Sequence, residues 1–288
     1  MNQVNLFFDL VRLKKPIGFM LLFWPCAWGL TLAYDFSSDL NNYYFYLVLF
    51  FLGSLFMRSA GCIVNDILDK EFDKRVFRTK NRPIASEKIS IKLGIFYATT
   101  LCFLALLVLL NFNKFTIILA FCSMPLAFTY PLMKRFTYWP QFFLGITFNY
   151  GLILGWTAIK GQIDIVPVIF YVGAIFWTLG YDTIYGYQDL KDDEIIGLKS
   201  TSIKFKGEAN QFIFICYTFL LVLFLIGGYY MQFHKIYYYL TIIPFLHLFF
   251  YQMKVFKSID PSSCLKAFRS NNIFGLIIFL DILIVKNL

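Results

Sequence analysis

The chain is 288 residues long, 59% hydrophobic and only 15% charged, whereas a soluble domain carries about a quarter charged residues. With 36 Phe and 19 Tyr, this composition excludes an ordinary soluble globule and predicts an all-α, polytopic membrane protein. The net charge of +9 is spread over alternate connecting segments rather than gathered in one patch, so membrane lipid is an expected partner and nucleic acid is not.

In chain order, apolar stretches of the ~20 residues a bilayer requires fall near 17–35, 43–66, 91–110, 115–133, 139–158, 165–187, 210–231, 235–253 and 270–287. These predict nine transmembrane helices. Lys14 and Lys15 precede the first stretch, but it continues as a full span without a small-residue cleavage site, so it is expected to be a span and not a signal peptide. If the N-terminus is cytoplasmic, nearly all Lys and Arg residues fall in cytoplasmic segments. The other face then holds only Lys114, Lys160, Lys235 and Lys286. This asymmetry predicts a cytoplasmic N-terminus, cytoplasmic acidic loops and a periplasmic C-terminus. No linker divides the chain, so residues 1–288 are expected to form one integral-membrane helical bundle. The long segments near 67–90 and 188–209 occupy matching places four spans apart, which suggests an internal repeat whose units each end a helix in aspartates.

Those aspartates carry the chemistry. Asn65, Asp69 and Asp73 are spaced i, i+4, i+8 and share one helical face, with Asp66 on the adjacent stripe. Hard oxygen ligands of this kind suit Mg²⁺, which shares its shell among carboxylates, water and substrate phosphate. Arg78 and Arg82 follow, and guanidinium forks suit phosphate oxygens. A solvated loop with i, i+4 ion pairs explains Lys70, Glu71, Lys74 and Lys88, but not why Asn65 and Asp66 directly end an apolar span. The second cluster places Asp182, Tyr185 and Asp189 at i, i+3, i+7, with Asp192 and Asp193 beyond. Asp182 lies within the sixth span, and an intramembrane carboxylate is a functional candidate. The plainer alternative is a hydrogen bond to a neighbouring tyrosine. Arg58, also within a span, needs an anion, either Asp182 or a ligand carboxylate. Tyr130 and Lys134 close the fourth span, where aromatic-belt and positive-inside roles would suffice. The six cysteines lack any CxxC pair and read as small packing residues in a reduced setting. His234 and His247 stand apart, with no third ligand in view.

Asn65-Asp66-x-x-Asp69-x-x-x-Asp73-x-x-x-x-Arg78-Thr79-x-x-Arg82-Pro83 is similar to the first signature of the UbiA superfamily of intramembrane prenyltransferases. Tyr181-Asp182-Thr183-x-Tyr185 followed by Asp189-x-x-x-Asp193 resembles the second. The segments Leu13–Gly18, Arg58–Cys62, Tyr130–Arg135 and Gly197–Thr201 resemble the 4-hydroxybenzoate polyprenyltransferase branch, with Lys191 standing where that branch is often more acidic. The resemblance covers nearly the whole chain. It implies a nine-helix bundle around a central cavity with a lateral opening to lipid. It also implies that Asn65, Asp69, Asp73, Asp189 and Asp193 hold Mg²⁺ on a polyprenyl diphosphate, the four aspartates being the catalytic set. Arg78, Arg82 and Lys134 would contact the diphosphate. Arg58 would meet the carboxylate of 4-hydroxybenzoate, with Asp182, Tyr185 and Tyr130 nearby. The implied reaction prenylates the ring carbon ortho to the hydroxyl, an early step of ubiquinone biosynthesis. The Phe, Ile, Lys, Asn and Tyr bias suggests an A+T-rich bacterial genome, hence an inner membrane. Another acceptor, such as a naphthoate or haem, is the nearest alternative. A transporter, whose ion path intramembrane acids would mark, is the alternative from another class.

Overall fold

The computed structural model describes residues 3–288, and among them there are helices and turns but no strands. A short helix α1 (Gln3–Leu10) leads into α2 (Ile17–Ala33), α3 (Leu40–Leu68) and a single turn, α4 (Lys70–Asp73). Next come α5 (Ile91–Leu109) and α6 (Lys114–Thr129), which continues through a 3-10 turn into α7 (Met133–Phe136). The second half holds α8 (Pro140–Lys160), α9 (Ile165–Gly186), α10 (Leu190–Ile196), α11 (Thr201–Lys204) and α12 (Ala209–Tyr230). Then follow α13 (Ile236–Leu240), α14 (Ile242–Leu246), a π-helical stretch over His247–Gln252, α15 (Met253–Val255), α16 (Pro261–Arg269) and α17 (Asn271–Lys286). Several starts are set by side-chain caps on the first free N–H groups: Asp39 on Asn41 N, Ser90 on Leu93 N, Asn113 on Thr116 N and Asp164 on Ile165 N.

Among the described residues, seven helical stretches are long and apolar enough to cross a membrane: Leu40–Leu68, Ile91–Leu109, Lys114–Phe136, Pro140–Lys160, Ile165–Gly186, Ala209–Tyr230 and Pro261–Lys286. The protein is an integral membrane protein by these helices. The first stretch expected to span, α2, is apolar but has 17 residues. The eighth, over 236–255, keeps helical backbone through its junctions at Thr241, His247 and Met253 but changes hydrogen-bond register at Thr241 and over the π stretch, the first just ahead of Pro244, which has no N–H to donate.

Packing sorts the helices. From Leu21 to Ala33, α2 is buried on nearly every side, as an all-round apolar helix in a bundle should be. It lies against α8, α17 and α3. The approach to α8 is close because Gly29 faces the Leu152 carbonyl and Gly155 faces Cys26 O and Leu30 N, leaving no room for a Cβ at either place. The second central pair is α9 with α12, and α9 also packs on α8 and α16. By contrast α5 and α6 expose Ile95, Phe96, Phe103, Ile118 and Phe121, apolar groups for which lipid is the solvent. Polar groups tie the interior. Trp177 Nε1 donates to Asn271 Oδ1 (2.8 Å), Trp24 Nε1 donates to Asn272 Oδ1 (2.9 Å) and Trp28 Nε1 donates to Gly275 O (3.0 Å). Gln252, at the end of the π stretch, accepts from Tyr217 and donates to Ala267 O at 3.1 Å. The six cysteines are free, as their scattered spacing predicts.

Candidate active site

The ends of α3 and α9 on one side of the bundle open into a cavity of about 780 Å³. Helix α3 does not run on as one rod. Asp69 leaves helical geometry (φ −98°, ψ 6°) and α4 restarts behind it. The stagger is small, because Asp69 N–H still donates to Asn65 O (2.9 Å) and Asp73 N–H donates to Asp69 O (2.8 Å). The i, i+4, i+8 face therefore survives the break. The second motif repeats the device. Asp189 has φ −114° and ψ 11°, α10 restarts after it, and Asp193 N–H donates to Asp189 O at 2.9 Å. Asp69 and Asp189 thus share one backbone geometry at corresponding places in the two motifs.

Asn65, Asp66, Asp69, Asp73, Asp189, Asp193, Arg78, Arg82, Lys134, Arg58, Tyr130, Asp182 and Tyr185 all line this cavity. Arg78 and Arg82 arrive from turns rather than a helix, yet both reach carboxylates. Arg82 Nη1 donates to Asp73 Oδ2 (2.7 Å) and Asp66 Oδ1 (3.1 Å). Arg78 crosses to the second motif, where its guanidinium pairs with Asp189 and donates to the Tyr185 hydroxyl at 3.0 Å. Lys134 pairs with Asp69. Its place is fixed by Lys199 N–H donating to the Lys134 carbonyl (2.8 Å), so the Gly197–Thr201 segment braces the fourth side of the cavity. Burial pushes the Asp73 carboxyl above the usual carboxylate range, against the pull of Arg82. Burial and the charge of Asp189 push Asp193 up to about 7.

Two participants lay outside the ligand roles read from the sequence, Asp66 having been noted there only beside the aspartate face. Asp66 is almost fully buried and joins two cations, Arg12 and Arg82. Its signal was present in the Asn65-Asp66 pair. Arg12, read from sequence only as a basic residue ahead of the first span, follows α1 in the left-handed region (φ 56°) and pairs with Asp66. Nothing in local spacing links residues this far apart.

Arg58 settles one alternative left open by the sequence. It makes no ion pair with Asp182 among the described residues. Its Nε is buried without a hydrogen-bond partner, and its guanidinium carbon lies 5.3 Å from the Phe148 ring centre. Gly18 makes room for it, since a Cβ there would stand 2.9 Å from Arg58 Nε. The plainer alternative for Asp182, a bond to a neighbouring tyrosine, is not formed among the described residues: Thr178 Oγ1 donates to the Tyr181 hydroxyl (3.2 Å) and Arg78 holds that of Tyr185.

The donor set suits Mg²⁺. Hard carboxylate oxygens from two motifs share one cavity, and Asp69 Oδ1 is buried without a hydrogen bond, with Arg135 Nη2 no nearer than 3.7 Å. Among the described residues, no three acidic, histidine or cysteine groups converge as a complete protein cage. Mg²⁺ commonly takes one or two carboxylates and fills the rest of its shell with water and substrate phosphate, so such a site needs no cage.

Comparisons with known proteins agree with this geometry. The chain is 38% identical over 279 residues to a 4-hydroxybenzoate octaprenyltransferase of Francisella tularensis subsp. mediasiatica, covering 97% of this chain and 96% of that one. It is 40% identical over 293 residues to a mitochondrial 4-hydroxybenzoate polyprenyltransferase of Dictyostelium discoideum, covering 99% of this chain and 61% of that one. Its fold matches a UbiA homolog from Aeropyrum pernix K1 with a TM-score of 0.76 at 21% identity, over 92% of this chain and 97% of that one. It also matches a UbiA homolog from Archaeoglobus fulgidus bound to GPP and Mg²⁺, with a TM-score of 0.73 at 16% identity over 98% and 100% of the two chains. With residues 22–278 matching the UbiA prenyltransferase family as well, the chain belongs to that family.

Proposed function

We propose that this chain transfers a polyprenyl group from polyprenyl diphosphate to the ring carbon ortho to the hydroxyl of 4-hydroxybenzoate, in ubiquinone biosynthesis. The observation that carries this reading is Arg58, a half-buried cation whose buried Nε has no hydrogen-bond partner among the described residues, in the cavity that both aspartate motifs line. A carboxylated acceptor would supply its anion. Identity of 38% and 40%, over nearly the whole of this chain, to proteins named for this activity supports the same acceptor.

Asn65, Asp69, Asp73, Asp189 and Asp193 would hold Mg²⁺, and the Mg²⁺-bound archaeal relative supports that choice of ion. The metal would supply Lewis acidity to the departing diphosphate. Arg78, Arg82 and Lys134 bind the diphosphate and neutralise charge that grows on it as the allylic C–O bond breaks. Arg58 orients the acceptor by its carboxylate, with Tyr130, Asp182 and Tyr185 around the ring. Phe148, Tyr181 and Phe268 line the same cavity. They keep water from the allylic cation and offer it ring faces. The ring carbon takes the prenyl group and then loses its proton. The prenyl tail stays in lipid.

The bundle crosses the bilayer nine times in this reading, with α2 and the 236–255 segment added to the seven longer stretches. The N-terminus and the cavity face the cytoplasm of a bacterial cell and the C-terminus faces the periplasm, as the Lys and Arg distribution favours. The test is purified protein in lipid with Mg²⁺, 4-hydroxybenzoate and prenyl diphosphates of several lengths. The expected result is a 3-polyprenyl-4-hydroxybenzoate. Prenylation of a naphthoate or haem instead would move the chain to another acceptor, and no prenylated product at all would reject the enzyme reading.

A further inference from the structure

We propose that this chain has a second binding site, which takes the phosphate group of a membrane phospholipid on the face opposite the carboxylate cavity. The α2, α8 and α9 helices place the two sites at their opposite ends. Gly18, Pro140 and Tyr185 line the carboxylate cavity, whereas Leu32, Lys160 and Val166 line a separate cavity of about 470 Å³. Lys286, at the end of α17, enters this second cavity beside Lys160.

Two ammonium groups share this cavity with one carboxylate, that of Asp164, and leave it a net positive charge that an anion would meet. Neither lysine has a carboxylate within 4.0 Å among the described residues. Asp164 lines the same cavity, where its carboxylate accepts from Ile165 N–H as the α9 cap, and outside it Asp35 accepts from Ser37 N–H (3.0 Å) and Ser37 Oγ (2.8 Å). Trp156 lines the same cavity, is 5% exposed, and its indole N–H is buried without an acceptor. A phosphate oxygen accepts from ammonium and indole donors alike. Lysines at the ends of spanning helices also meet helix C-terminal carbonyls, but that explains each lysine singly and leaves the indole N–H unanswered.

The surroundings favour a lipid over free phosphate. The cavity lies at the ends of spanning helices, where head groups stand. Tyr229, Tyr230, Ile163 and Ile165 are exposed there, an aromatic and apolar surface of the kind that meets the bilayer interface. Leu32, Val166 and Met231 give the cavity apolar walls against which glycerol and the first acyl carbons would pack.

The experiment is native mass spectrometry of the full chain, titrated with dioleoyl phosphatidylglycerol or with dioleoylglycerol, which lacks the phosphate. The wild type should bind the phospholipid at least about fivefold more tightly than a Lys160→Ala/Lys286→Ala variant, each lysine contributing a charge contact. Dioleoylglycerol should bind both alike and more weakly, and Lys160→Arg/Lys286→Arg should keep phospholipid affinity. Neither lysine touches the carboxylate cavity, so unchanged prenyl transfer by the variant establishes that it is folded. Equal phospholipid binding by wild type and the alanine variant overturns the proposal. So does displacement of the phospholipid by millimolar inorganic phosphate with no preference for the lipid, which would make this a free-phosphate site.

Discussion

At the scale of single residues, the candidate active site is a balance of charges. Asp69, Asp73 and Asp189 each meet a cation from another part of the chain, and Asp66 meets two. Arg58 is the exception, with a buried Nε and no partner. Its substitution therefore tests ligand binding more than folding. Losing one charge-assisted hydrogen bond costs about 1.5–3 kcal/mol, so Arg58→Ala should raise KM for 4-hydroxybenzoate by about tenfold to a hundredfold. KM for prenyl diphosphate should change far less, and an equal rise in both would deny Arg58 the acceptor carboxylate. Asp66 makes the opposite prediction. Removing it strands Arg12 and leaves Arg82 with Asp73 alone, both arginines being partly exposed, so the full cost of a broken buried pair is discounted to about 1–3 kcal/mol. Asp66→Ala should lower the thermal unfolding temperature and weaken diphosphate binding together, measured by unfolding in detergent and by KM for the donor.

At the scale of elements, the sequence was legible where chemistry is local and opaque where it is not. The aspartate spacing was read correctly as one face because the N–H bonds from Asp69 to Asn65 and from Asp73 to Asp69 keep helical register through the break. The break itself was not read: aspartate favours helix starts over interiors, and Asp69 and Asp189 stand at the starts of α4 and α10, though neither makes a side-chain cap bond there. The Arg12–Asp66 pair was invisible for a different reason: it depends on how the N-terminal segment folds back on α3. The stretch from Ile236 to Val255 reads as one apolar segment, so hydropathy registers its length and not its changes of hydrogen-bond register at Thr241 and over the π stretch. The α2–α8 contact was also unread, because a glycine in a membrane helix signals close approach only once its neighbour is known. There Gly155 meets the α2 backbone at Cys26, Gly29 and Leu30. Gly155→Val would push the helices apart, and overpacking of this kind costs about 1–3 kcal/mol or more. The expected outcome is a lower unfolding temperature in detergent with KM for both substrates nearly unchanged in the folded fraction, because the contact lies away from the cavity lining.

At the scale of the whole molecule, two halves with like backbone geometry at Asp69 and Asp189 face one cavity, and Arg78 links them through Asp189 and Tyr185. Lys134, from the stretch between the halves, links through Asp69. Asp66, Asp69, Asp73 and Asp189 are thus already countered by protein cations, and the packing of α2 with α8 and α9 with α12 is expected to hold the bundle without a metal. A structural metal contributes folding energy that is lost on chelation; a metal that arrives with a substrate contributes little until the substrate is present. The two cases separate in one experiment. Chelation with EDTA should abolish prenyl transfer and added Mg²⁺ should restore it, while the unfolding temperature of the substrate-free protein stays within about 2 °C of its starting value. Adding Mg²⁺ together with prenyl diphosphate should then raise that temperature, by the linkage that stabilises any state a ligand binds, and neither component alone should match the pair. A large fall on chelation alone would instead make the metal part of the scaffold. The cation pairs at Asp69, Asp73 and Asp189 would then be too weak to hold the cavity, and the carboxylates would owe their positions to the ion rather than to the fold.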